Sequence, residues 1–91
     1  MNTIYKYPIK LSTHQTVEMP KGSRILSVAD QNGTICIWAQ VTREETIMES
    51  RTIEIAGTGD VYPTNDSATR CFLGTVVIDP FVYHVFEKLP E

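Results

Sequence analysis

The sequence predicts an all-β fold, mainly antiparallel, in which about seven short strands form a small sandwich or open barrel. Two observations lead to that prediction. Apolar and polar residues alternate in separate short runs, and residues that favour turns divide those runs at short intervals. No stretch repeats its apolar residues with a helical period, so the pattern allows at most one short helical turn, near residues 43–49 or 63–69. The chain has 91 residues, enough for one domain, which we place at 1–91.

The first four predicted strands are Ile4–Ile9, His14–Met19, Arg24–Gln31 and Thr34–Val41. Pro8 has no N–H group, so the first strand should lie at a sheet edge or end at Pro8. Proline and glycine in Pro20-Lys21-Gly22-Ser23 predict a turn after the second strand. Asn32-Gly33 predicts a type I′ hairpin between the third and fourth strands, because both residues accept a positive φ. Apolar residues on both faces, such as Ile37 and Trp38, place the fourth strand in the centre of a sheet.

The last three predicted strands are Ser50–Ala56, Cys71–Ile78 and Phe81–Glu87. The first of them ends in Gly57-Thr58-Gly59, and residues 60–69 then form the longest loop. Gly74 interrupts an apolar run, which indicates a β-bulge or a close approach of another backbone. Asp79-Pro80 predicts the turn between the last two strands, which would form a hairpin.

Composition narrows the classes of partner. The net charge is −3, and the 8 lysines and arginines are scattered among 11 acidic residues, which argues against binding to duplex nucleic acid. No run approaches the ~18 apolar residues of a membrane span, and the N-terminus does not resemble a signal peptide. We therefore expect no membrane association and a cytoplasmic location in the cell that makes the protein. A chain of this size has a thin core and cannot enclose a large cavity. A ligand site would therefore be an open groove or lie between subunits, which favours self-association.

The cysteines and histidines do not predict a metal or cofactor site. Cys36 and Cys71 lie far apart in apolar runs, which favours two buried reduced thiols, although neighbouring strands would allow a disulfide. With His14 and His84 they do not match the spacing of zinc ligands. Acidic residues near turns, such as Asp60, favour capping roles over a calcium loop. We predict no metal and no cofactor.

Two features are candidate sites of chemistry. Gly57, Thr58 and Gly59 follow a strand, and amides in a glycine-rich turn can bind an anion, although a plain strand exit that uses the permissive φ of glycine is the favoured explanation. His84 could act as a general base, but the sequence shows no partner for it. We therefore assign no catalytic residue, and treat His84 as a structural or ligand-contacting side chain.

Three aromatic residues are candidate contacts for a partner. Tyr5, Tyr7 and Trp38 each combine a large rigid ring with one polar atom, which suits both protein interfaces and stacking on nucleobases. Ordinary packing in the core explains them as well. Trp38 shares its strand face with Cys36 and Gln40, so that face is only partly apolar.

The chain also resembles a family of short uncharacterised proteins from tailed bacteriophages and prophages. The matching segments keep their order along nearly the whole chain: Ile4 to Tyr7, Thr16 to Gly22, Ile25 to Val28, Gln31 to Gly33, Ile37 to Ala39, Arg51 to Ile55, Gly57 to Gly59, Leu73 to Thr75 and His84 to Glu87. In that family a histidine often follows the Gly-Thr-Gly, whereas Asp60 stands here. The resemblance implies a phage origin and one compact β-rich domain.

The resemblance and the missing catalytic residues lead to one main hypothesis, a non-enzymatic phage protein that counteracts host defence by binding. It could block a host defence protein through an aromatic and acidic surface. Alternatively, a homo-oligomer could sequester a small anionic signalling nucleotide, with Gly57 to Gly59 on the phosphate and Trp38 or Tyr5 on the base. The alternative functions are a structural or assembly accessory of the virion and, third, an enzyme with His84 as its base.

Overall fold

The structure is a computed structural model that describes residues 1–61 and 66–90. These residues form seven strands: β1 Asn2–Pro8, β2 His14–Pro20, β3 Arg24–Gln31, β4 Thr34–Thr42, β5 Met48–Gly57, β6 Arg70–Ile78 and β7 Phe81–Lys88. All strand pairs are antiparallel. One sheet has three strands in the order β1-β4-β3, and the other has four in the order β2-β5-β7-β6. The predicted all-β fold is confirmed, and of the two predicted architectures it is sandwich-like.

The core lies between the two sheets and consists mainly of β-branched side chains. The alternation in β4 turns Ile35, Ile37, Ala39 and Val41 inwards, where each is at least 98% buried. Ile53 and Val85 face them from the other sheet and are fully buried. Burial stabilises each large aliphatic side chain by roughly 1.5–3 kcal/mol, which is why the alternating pattern defines the inner faces so clearly.

Both predicted hairpins are present. Asn32 and Gly33 have φ values of 53° and 86°, as a type I′ turn requires, and the Gly33 N–H donates to Asp30 Oδ1 over 2.7 Å. The turn between β6 and β7 includes a cis peptide bond between Asp79 and Pro80. Pro8 ends β1, an edge strand, and β4 is the central strand of its sheet, as predicted.

The expectation of a helical turn is wrong for residues 43–49. A turn that is closed by the Glu45 N–H on the Thr42 carbonyl follows β4, and β5 has already begun at Met48 because Met48 pairs with Pro20. Too few residues remain between the strands for a helix. Of the other candidate range, 63–69, residues 66–69 are not helical and the rest lie outside the described residues.

Gly74 fulfils both parts of its prediction, since it lies at a register shift in β6 and close to another strand. A Cβ atom on Gly74 would lie 2.8 Å from Val28 Cγ1 of β3. A second register shift, around Leu26 in β3, was not predicted and moves Ser27 to the outer side of its sheet beside Trp38. These bulges lie where β3 and β6 bring the edges of the two sheets together.

The cysteine prediction is correct in part. Both cysteines are free, and Cys36 is buried, but Cys71 is exposed because it lies near the start of β6, the outermost strand of its sheet. No helix within residues 1–61 and 66–90 is long and apolar enough to cross a membrane.

Candidate functional site

The structure places the predicted site residues in three separate regions. Trp38 lies on the outer side of the three-stranded sheet, whereas Tyr5 and Tyr7 belong to the opposite, inner side of the same sheet. The turn of Gly57 to Gly59 and His84 lie together on the four-stranded sheet. A single ligand therefore cannot contact all of them in one copy of the chain.

The turn after β5 is organised by Asp60. The Gly57 N–H donates to Asp60 Oδ2 over 2.8 Å, and the Thr58 N–H donates to the carbonyl of Val82 over 3.1 Å. A Cβ atom on Gly57 would lie 3.0 Å from the same carboxylate oxygen. Two of the three amides of the turn are thus used within the chain, and the carboxylate of Asp60 occupies the position where an anion would approach Gly57.

His84 lies between two threonine hydroxyls on the outer side of the four-stranded sheet. Its Nε2 is 2.8 Å from Thr58 Oγ1, and its Nδ1 is 3.1 Å from Thr75 Oγ1. A neutral imidazole has one donor and one acceptor nitrogen, and a hydroxyl can serve either. Both ring nitrogens are therefore satisfied by side chains of the same sheet, an arrangement that fixes the ring in place.

Tyr7 packs against two clusters of core residues, one that includes Ile37 and one that includes Ala39. Burial, and after it the neighbouring Tyr5, raises the pKa of the Tyr7 phenol. Tyr5 is more exposed, at the edge of the sheet that β1 forms. Of the three aromatic candidates, Tyr7 thus contributes to the core, and Tyr5 and Trp38 lie on different sides of one sheet.

Trp38 stands in the middle of a partly exposed polar surface. Its strand neighbours are Lys6 on β1 and Ser27 on β3, and the next row along the sheet contains Ile4, Gln40 and Arg24. We call this outer side of the three-stranded sheet the Trp38 face; its principal side chains are Ile4, Lys6, Arg24, Ser27, Gln31, Trp38 and Gln40.

The Trp38 face has no acidic side chain among its strand residues, although the chain has 11 acidic residues in all. Its charges are the cations Lys6 and Arg24, and neither forms an ion pair within the described part of the chain. Lys6 donates to Gln31 Oε1 over 2.7 Å, a bond that reaches from β1 across β4 to β3. A depression of about 230 Å³ beside Gln40 is lined by Asn2, Thr3 and Ile4.

The outer side of the four-stranded sheet has a different composition. Arg70 binds Glu54 through Nε and Nη2, and it binds both carboxylate oxygens of Asp66 at 2.8 and 2.9 Å. Arg70 lowers the pKa of Asp66 to about 2, and Asp66 followed by Glu54 raises the pKa of Arg70. Beside this network Phe72 is 59% exposed, and its ring centroid lies 5.4 Å from that of Phe86. We call this surface the Phe72 face.

A second ion pair faces inwards at one end of the sandwich. Arg51 binds both carboxylate oxygens of Glu87, and its Nη1 also donates to the Ser23 carbonyl at 2.7 Å and to Glu49 at 3.3 Å. The hydrogen bonds to Glu87, the largest influence, raise the pKa of Arg51. Sequence reasoning did not find these groups, because Arg51 and Glu87 are distant along the chain.

A model of one protein family, a domain of unknown function (DUF7352), matches residues 1–91. The chain belongs to this family. Every strand lies within the match, so the whole sandwich, including the Trp38 face and the Phe72 face, is the family's domain. No curated protein and no solved structure matches the chain. The predicted resemblance to a family of unknown function is therefore confirmed, whereas the phage origin stays a prediction.

Proposed function

We propose that the chain is a non-enzymatic phage accessory protein that counteracts host defence by sequestering an anionic signalling nucleotide on the Trp38 face. One observation carries this proposal: a chain of net charge −3 has an outer sheet face without acidic residues, centred on its one tryptophan. Acidic side chains on this face would repel a phosphate, and its strand residues include none. Such a separation of charge favours the approach of an anion to that face.

Each component of a nucleotide has a matching group on this face. The partly exposed indole of Trp38 can stack on any nucleobase, which typically contributes about 1–3 kcal/mol. Lys6 and Arg24 lie on opposite sides of β4, about 12 Å apart between backbones across two strand spacings and two residue positions, and either can neutralise phosphate. The amides of Gln31 and Gln40 offer donors and acceptors for base edges or ribose hydroxyls.

The face is open, which bears on the oligomeric state. The depression beside Gln40 holds about 230 Å³, whereas ligand pockets usually have about 300–1,000 Å³ and cover most of the ligand. Two copies that place their Trp38 faces together would enclose a nucleotide between them. A homo-oligomer is therefore part of the proposal.

The Gly57 to Gly59 turn has no role in this version of the hypothesis, because Asp60 already accepts from its first amide. The environment of His84 supports a non-enzymatic function. Its two nitrogens contact Thr58 and Thr75, and neither contact is to a carboxylate that would orient it as a base.

A host defence protein is the second candidate target, and the Phe72 face favours it. Phe72 and Val77 are both 59% exposed on the outer side of an outermost strand. Exposed aromatic side chains often anchor protein interfaces. The two targets would use different surfaces, so they can be separated by experiment.

The test uses the fluorescence of Trp38, the one tryptophan of the chain. We expect cyclic di-adenosine monophosphate or ADP-ribose to quench its emission in a saturable way, and inorganic phosphate alone to leave it unchanged, because the base must stack. The double variant Lys6→Gln/Arg24→Gln should weaken binding by roughly tenfold or more, as expected when charged hydrogen bonds are lost.

Lys88→Gln is the matched control, since it removes one positive charge from the other sheet. It should leave the affinity unchanged. An equal loss with Lys88→Gln would mean unspecific attraction, and the absence of quenching by a panel of nucleotides would exclude this ligand class. In that case, capture of a host protein that depends on Phe72 would support the second candidate.

A further inference from the structure

β5 has a neighbouring strand along its whole length on one side only. It pairs with β2 from Met48 to Glu54, but its pairing with β7 extends only from Gly57 back to Thr52, where Lys88 is the last partner. Within the described residues, no strand lies beside Met48–Arg51 on the β7 side. The sheet thus contains a gap, four residues long, in line with the end of β7.

Backbone groups of β5 point into this gap. The Ile55 N–H donates to Thr13, on the β2 side, and the Thr58 N–H donates to Val82, on the β7 side. Because successive residues of a strand alternate in direction, the N–H and C=O of Ser50 point to the β7 side, into the gap. A continued register would bring Pro90 beside Ser50, and proline has no N–H to donate.

A groove of about 760 Å³ occupies this region. Glu49, Ser50 and Arg51 line one wall, and Leu89 and Pro90 line the end where β7 stops. The Leu89 N–H is already bonded to the carbonyl of Thr69, away from β5. The groove is therefore an unfilled strand position with an extended wall and a closed end.

On the inner wall, Glu49 offers one carboxylate oxygen to a cation. Arg51 is engaged by Glu87, Glu49 and the Ser23 carbonyl, so its charge is balanced within the chain. The three side chains Glu49, Arg51 and Glu87 carry a net charge of −1, and Lys88, which also lines the groove, brings the charge of the lining to zero. Glu49 is the most exposed of them, and its hydrogen bonds within the described residues all use Oε1, which leaves Oε2 as an acceptor.

We propose that this gap binds an extended segment of a partner protein, added antiparallel to β5. The segment donates to the Ser50 carbonyl, accepts from the Ser50 N–H, and places a lysine or arginine against Glu49. Strand addition to an open sheet position is a general mode of peptide recognition. A second copy of the chain fits less well, because its edge strands β1, β2, β3 and β6 have seven to nine residues each, whereas the gap beside β5 is four residues long.

The experiment selects ligands from a library of random linear peptides displayed on yeast, using the folded chain as bait. We expect the enriched peptides to alternate apolar and polar residues and to contain a lysine or arginine. Ser50→Pro removes the N–H in the gap and should weaken their binding by roughly tenfold or more. Ser50→Ala is the matched control: it also removes the hydroxyl that bonds to Glu18, but it keeps the amide, so affinity should remain.

Glu49→Gln should weaken the binding of peptides that contain the lysine or arginine. It should leave unchanged the binding of a peptide in which alanine replaces that cation. Since Ser50→Pro could lower stability, amide shifts of the unmodified chain provide a second measurement. Shifts centred on Ser50 and Lys88 support the proposal. Shifts along β1 or β2, equal binding to Ser50→Pro and Ser50→Ala, or no enriched peptide would each overturn it.

Discussion

The two sheets share one core but differ in whether their charged side chains form ion pairs. On the four-stranded sheet, both arginines form ion pairs: Arg51 with Glu87 on the inner side, and Arg70 with Glu54 and Asp66 on the outer side. On the three-stranded sheet, Lys6 and Arg24 form no ion pair within the described residues. Paired charges hold a structure in place, whereas cations without an acidic partner remain available to an anion from outside.

The comparison predicts its largest effect at Glu87. Glu87→Ala leaves the guanidinium of Arg51 without its two-point partner in a mostly buried position, and we expect a loss of about 3 kcal/mol in the free energy of unfolding. Lys6→Ala on the Trp38 face should change it by no more than about 0.5 kcal/mol. Urea denaturation measures both. Equal effects would mean that the two sheets do not differ in how charge contributes to stability.

The next largest loss of stability is expected at the seam between the sheets, where the edge strands β3 and β6 meet. Gly74→Ala brings a Cβ atom within 2.8 Å of Val28 Cγ1, so β3 and β6 must separate or shift, at a cost of about 1–3 kcal/mol. Val28→Ala removes Cγ1, the atom that the new Cβ of residue 74 would contact. The double variant should therefore lose less stability than the sum of the two single variants, and strict additivity would show that the seam relaxes without this contact.

The smallest effect concerns pH. The pKa of Asp66 is lowered from 3.8 to about 2 by Arg70, so its stabilising contribution is complete above the unfolded value and disappears as the pH falls through the folded one. Asp66→Asn should lower the urea midpoint at pH values well above 3.8, and the difference should disappear as the pH falls below about 2. A difference that persists at the acidic end would show that Asp66 acts through packing and not through its charge.

Much of the fold could be predicted because the signals are local. Alternation gave seven strands with nearly the observed bounds, and Asn32-Gly33 identified a hairpin from two residues alone. What joins β1 to β4 and β2 to β5 is not local, because those partners lie far apart in the sequence. The bulge at Leu26 also reverses the alternation within β3, which no composition rule indicates.

The candidate site depended on those same non-local features. Trp38 was identified as a candidate, but Lys6 and Arg24 could be added only once β1 and β3 were known to flank β4. The gap beside Ser50 likewise depends on where β7 stops relative to β5.

The order of the strands also bears on how the chain folds. The chain passes from one sheet to the other between β1 and β2, between β2 and β3, and between β4 and β5. Only the pairs β3–β4 and β6–β7 are neighbours along the chain, so β1 and β2 must wait for strands made much later. Chains dominated by such distant pairings fold in milliseconds to seconds, and an early fragment cannot complete either sheet. A nascent chain would therefore expose β1 and β2 until β4 and β5 have been synthesised.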